Sequence, residues 1–125
     1  MASNVPQGGE LELRGVKGGT VVTFPAAPVL DNDHVEETAL RLFHLAETIH
    51  DRTMVLNLAH VSFISSRALG VLVSLYKKLL NRQKKLVVCH VKEEIKNLFN
   101  IVCLNHLFPA YDNEAQAIQA EKQES

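Results

Sequence analysis

"VSFISSRALGVLVSL", residues 61–75, decides how the rest of the chain is read. Its first half is apolar and rich in strand formers, and reads as a buried strand. Its second half carries Leu69, Leu72, Leu75 or Tyr76, and then Leu79 at the three-to-four spacing of one helix face. Ser65, Ser66 and Arg67 stand where the two meet. A serine just before a helical run is a natural N-cap, because its oxygen accepts one of the unpaired amide protons. Two adjacent serines at the C-terminal end of a strand permit more. Ligands of open α/β sheets gather at that end, and a helix N-terminus offers amide donors and partial positive charge to an anion. A phosphoryl group is accommodated there and adds about −1.5 to −2 charge.

A nucleophilic role for Ser66 needs a base and an oxyanion hole. His60 and His34 are the candidate bases, but the G-x-S-x-G elbow is absent. No complete catalytic set is visible, so an enzyme is not expected. Arg67 sits in the first turn of the helix, where the dipole mildly disfavours a cation. It reads either as an ordinary exposed side chain or as a contact for an acidic partner or a phosphate.

Upstream, "ELELRGV" (10–16) and "TVVTF" (20–24) flank the turn signal "KGG" (17–19), which predicts a hairpin. "PAAPVLDN" (25–32) breaks regularity. Val35, Ala39, Leu42, Leu45 or Ala46, and Ile49 then mark a helix, with Asp33 as N-cap and Glu36 completing a capping box. "TMVLNL" (53–58) and "LVVCHV" (86–91) are short apolar runs of the kind buried on both faces of a parallel sheet. "KEEIKNLFNIV" (92–102) has helical spacing in Ile95, Leu98, Phe99 and Val102. "LFPAY" (107–111) is an edge or terminal strand because of its proline, and "DNEAQAIQAEKQES" (112–125) opens as a helix. The order ββαβαβαβα predicts an α/β fold with a mixed, mostly parallel central sheet in one domain over residues 10–120. Residues 1–9 read as a flexible lead-in and 121–125 as a disordered tail.

The bulk numbers agree. The chain has 125 residues, 46% hydrophobic and 22% charged, as an ordinary globular domain has. A net charge of −1 and the absence of Trp leave no field or stacking platform for nucleic acid. No stretch has the roughly 18 apolar residues of a membrane span, and the N-terminus carries no signal segment, so a cytoplasmic protein without direct membrane insertion is expected. Cys89 and Cys103 read as reduced core thiols, with a single bridge as the alternative. Histidines at 34, 44, 50, 60, 90 and 106 lack metal-ligand spacing, and no metal or cofactor is expected. Asp31, Asn32 and Asp33 form a polar knot. Capping accounts for Asp33, whereas Asp31 lies beside the serines if the two loops share a sheet edge. "KKLLNRQKK" (77–85) gathers cations at a helix end, where the dipole favours them.

With these residues in hand, "MVLNLAHVSFISSRALGVLVSLYKKL" resembles the core of the STAS domain found in bacterial anti-sigma factor antagonists. "PVLDNDHVEE" and "LFPAYDNEAQAI" are similar to that family's loop into the first helix and to its usual ending. The family's D-S-S-G-L-G falls on residues 65–70. Ser65 takes the loop aspartate's place and Ser66 matches the next serine. Arg67 replaces the usual phosphoacceptor and Ala68 a glycine, while Leu69 and Gly70 match. Asn57 stands where an aspartate is common, and Asp31 matches an acidic residue near the phosphorylation site. The resemblance implies a partner switch. The unmodified protein docks on a GHKL-type serine kinase that is also an anti-sigma factor, and phosphorylation ends the docking. It places partner contacts on Asp31, Asn32, Ile64, Ser65, Ser66, Arg67, Ala68, Leu69 and Gly70. With arginine at the acceptor position, phosphorylation moves to Ser66 or Ser65, or docking escapes that control. Ala68 is expected to resist any positive φ that glycine allows. STAS domains also resemble this chain as accessory subunits of ABC-type lipid transporters, and a loop that senses a nucleotide or anion is a third reading. A second copy of the chain is a further candidate partner.

Overall fold

A computed structural model describes residues 10–123; the expected lead-in, 1–9, and the last two residues of the expected tail, 121–125, lie outside the described residues, whereas 121–123 belong to the last helix. Strands β1 (Glu12–Val16) and β2 (Gly19–Thr23) form the hairpin. They are followed by α1 (Val35–Thr48), β3 (Thr53–Asn57), α2 (Ser66–Asn81), β4 (Lys85–Cys89), α3 (Glu93–Ile101), a 3-10 turn (Leu104–His106), β5 (Ala110–Tyr111) and α4 (Glu114–Gln123). The hairpin turn is Lys17–Gly18, and Gly18 takes φ 96°, a conformation glycine adopts without steric cost. The sheet runs β1-β2-β3-β4-β5, with β1 antiparallel and the others parallel.

Each parallel step moves the same way across the sheet, so right-handed crossovers put α1, α2 and α3 on one face. Side-chain parity bears this out. Val22, Met54, Leu56 and Val88 pack with Leu42, Leu72, Leu75, Ile95 and Phe99. The alternate positions Val21, Val55, Val87 and Cys89 face the other way, under Ala117 and Ile118 of α4. Strands covered on both faces are apolar at successive central positions, which is why residues 21–22, 54–56 and 86–88 lack alternation.

Several expectations are corrected. Residues 61–64 are a loop, not a strand: β3 ends at Asn57. Leu58, Val61 and Ile64 are nevertheless buried and pin that loop to the core, so the apolar run reflects burial rather than pairing. Cys103 is exposed in a left-handed turn after α3, and Val102 is 42% exposed; only Cys89 is a core thiol, and both are free. The cations of 77–85 serve α1–α2 packing in part: Lys78 lies over Phe43 and near Glu47, and the Lys84 ammonium donates to the Ile49 carbonyl. No helix among the described residues is long and apolar enough to cross a membrane.

Candidate functional site

The C-terminal ends of β2 and β3 deliver two loops, 24–34 and 58–65, to the same edge of the sheet. They are tied directly, since the Ser65 amide donates to the Leu30 carbonyl at 2.8 Å. Asp31 thus does lie beside the serines, one residue from that bond.

The two serines have different environments. Ser65 is 5% exposed and is the N-cap of α2, its hydroxyl accepting from the Ala68 amide at 3.1 Å. An aspartate caps a helix by the same bond, which explains physically why serine can take the place where the resemblance puts an aspartate. Removing the cap with Ser65→Ala is expected to destabilise the protein by about 1 kcal/mol, read as a lower urea midpoint at unchanged slope. Ser66 opens α2 and is exposed, as are Arg67 and Gly70; Leu69 is half-buried, and Ile64 and Ala68 are buried. Ala68 lies inside the helix and needs no positive φ, so the restriction expected of it does not arise.

Arg67 forms an ion pair with Glu36 across the α1–α2 interface. The N-terminal approach to α1 also differs from expectation. Asp33 is not the cap. The helix begins after His34, which has no side-chain capping bond. Instead Asp31 accepts from the His34 amide at 2.9 Å and pairs with its Nδ1 at 2.8 Å. Asp31 closes the turn because its carboxylate stands three residues before the amide it holds, leaving Asp33 exposed.

The His34 hydrogen bond holds the Asp31 carboxyl below its ordinary 3.8, and the same bond, with the carboxylate's charge, raises His34 above 6.5. The Asp31 contribution is present above pH 3.8 and lost as pH falls through its lowered value. The His34 contribution is full below 6.5 and lost as pH rises through its raised value. The loop is therefore tied most firmly between those limits. An NMR titration is expected to place His34 above 6.5, and Asp31→Asn to return it to the ordinary range.

On the far side of β3, Asn57 donates to Glu114 of α4 at 2.8 Å, and its own oxygen accepts from the Ala59 amide at 3.0 Å. Glu114 also pairs with Arg14 of β1. Asparagine fits here because an aspartate would face the Glu114 carboxylate. This clasp joins residues 57 and 100 positions apart, and no local pattern signals it. Burial, and next the Glu114 charge, push the nearby Cys89 thiol up to about 12, which leaves it protonated and unreactive at neutral pH. Among the described residues, no three His, Cys, Asp or Glu side chains group as a metal site.

A family model for the STAS domain matches residues 10–117. An anti-sigma F factor antagonist of Paenibacillus polymyxa is 30% identical over 112 residues, covering 87% of this chain and 92% of that protein. An anti-sigma-factor antagonist (STAS) domain protein of Planctomyces limnophilus superposes with a TM-score of 0.80 at 21% identity, over 88% of this chain and 96% of that one. The Bacillus cell fate determinant SpoIIAA in its phosphorylated form gives 0.64 at 16% identity, over 89% and 98%.

Proposed function

The chain belongs to the STAS domain family, and from that premise we propose that it is a non-catalytic docking module of the anti-sigma factor antagonist kind, working in the cytoplasm. Its partner is a GHKL-type serine kinase that also acts as an anti-sigma factor. Ser66, Arg67, Leu69 and Gly70 make the contact with Asp31 and Asn32 beside them, while Ile64, Ser65 and Ala68 hold the surface in place.

The observation that carries this reading is the exposed face of α2's first two turns. Gly70 stands four residues after Ser66 and three after Arg67, so it neighbours both on the helix surface, next to the 30–32 loop. Gly70 adds to it. A Cβ there would meet nothing within 4 Å, so the fold has no use for a glycine that costs a helix about 1 kcal/mol. A bare backbone patch on a docking face lets a partner approach closely. Gly70→Ala is accordingly expected to stabilise the protein by about 0.5–1 kcal/mol while weakening docking. Calorimetric binding and thermal melts on the same samples read both effects.

Ser66 is the phosphoacceptor in this reading. Ser65 is ill suited, because its hydroxyl is buried and engaged as a cap. A phosphate on Ser66 lies at the positive end of α2, yet adds charge to the face a partner must cover. The test is incubation with candidate GHKL anti-sigma kinases, with and without MgATP, followed by size-exclusion chromatography and intact mass. A complex that acquires one phosphate on Ser66 and dissociates is expected; no complex with any of them contradicts the proposal. A constitutive scaffold, such as an accessory subunit of an ABC-type lipid transporter, is the second reading. Arg67 at the usual acceptor position favours it, and co-purification with a transporter ATPase would select it.

A further inference from the structure

We propose that Arg67 is the specificity-determining residue of this docking face, exchanging Glu36 for a carboxylate on the partner that seats an apolar side chain in the adjoining α1–α2 groove. The inference rests on the docking reading above and names the chemistry that the partner must present.

The groove is open, about 300 Å³, and lined by Val35, Ala39, Leu40 and Val71, with Arg67 and Glu36 beside them. Leu40 is 71% exposed, so a large apolar side chain lies uncovered there. Arg67 and Glu36 are 57% and 70% exposed, and solvent-facing pairs of this kind are weakly held.

The two members of the pair are not equivalent. Glu36 and Glu37 lie in the first turn of α1, where the helix dipole stabilises a carboxylate whether or not Arg67 is present. Arg67 lies in the first turn of α2, where the dipole disfavours a cation and no acidic residue of that turn compensates. Arg67 therefore gains from an outside carboxylate, whereas Glu36 loses little when it is released. Of the other acidic side chains at the start of α1, Asp31 is engaged by His34 and Glu37 by Arg41, while Asp33 is exposed. The occupant that complements this surface is a protein segment pairing an apolar side chain with an Asp or Glu. A phosphate on Ser66 would compete for the same guanidinium, which links the exchange to the proposed switch.

The experiment measures calorimetric affinity of the full chain for the GHKL kinase that forms a complex in the panel above, at low and high salt. Arg67→Ala is expected to bind roughly tenfold more weakly and Arg67→Glu roughly a hundredfold. Glu36→Gln, which frees Arg67 from its internal competitor, is expected to bind about two- to fivefold more tightly. A Lys scan of the kinase's surface carboxylates should yield one change that restores binding to Arg67→Glu. Melting midpoints exclude a folding cause, since both side chains are exposed. Affinities within twofold of wild type for all three variants, or weaker binding by Glu36→Gln, would overturn the inference alone. A wild-type chain that binds no kinase in the panel would overturn it together with the docking reading.

Discussion

Ser66→Glu is expected to weaken kinase docking by roughly thirtyfold, about 2 kcal/mol, without destabilising the fold. Ser66 is the first residue of α2, exposed and with no part in the cap. A carboxylate there lies at the positive end of the helix, which favours it by about 0.3–1 kcal/mol. The variant should therefore melt at the wild-type temperature or slightly above. In the complex the added charge must be desolvated, and it competes for Arg67. Loss of binding combined with undiminished stability separates a docking role from a structural one. Ser66→Ala should keep near-wild-type affinity and no longer respond to MgATP. Calorimetry and thermal melts of the three proteins provide the check. Equal affinity of wild type and Ser66→Glu would remove Ser66 from the interface.

The largest stability effect is expected at Phe108. It is 1% exposed, with its ring edge-on to Phe99 at 5.8 Å and tilted against Tyr76 at 6.2 Å. Phe108 thus ties α3 and α2 to the segment that enters β5. Phe108→Ala removes an aromatic ring from a packed core and should cost about 3–5 kcal/mol. Against a typical domain stability of about 5–15 kcal/mol, that leaves a marginal fold. Urea denaturation at several temperatures measures it. A loss below about 1 kcal/mol would mean that the site collapses around the missing ring. Phe108→Leu, which keeps most of the apolar volume, should lose much less.

The fold was legible because its signals are local and repeated. Unalternated apolar runs mark the doubly covered strands, and three-to-four spacing marks the helices between them. At sheet edges and element ends that logic fails. Val102 keeps helical spacing but falls beyond the last buried turn of α3, and Leu13, on edge strand β1, is 48% exposed. The Asp31 turn was misread as an Asp33 cap because both residues precede α1, and only geometry decides which carboxylate reaches the His34 amide. At the candidate site, a serine cap was legible from residue type and position, but that Ser65 and not Ser66 holds it was decided by geometry. The Arg67–Glu36 pair and the Asn57–Glu114–Arg14 clasp were not legible, since each joins elements that only the tertiary fold brings together.

The most direct test of the docking account is intact-mass and site-mapped phosphate analysis of the chain purified from its native cells, together with the proteins that co-purify. The account predicts one phosphate, on Ser66 and not Ser65, with a GHKL-type kinase recovered only with the unmodified form. A chain that carries no phosphate in any growth state, recovered with a transporter ATPase in place of a kinase, would contradict it.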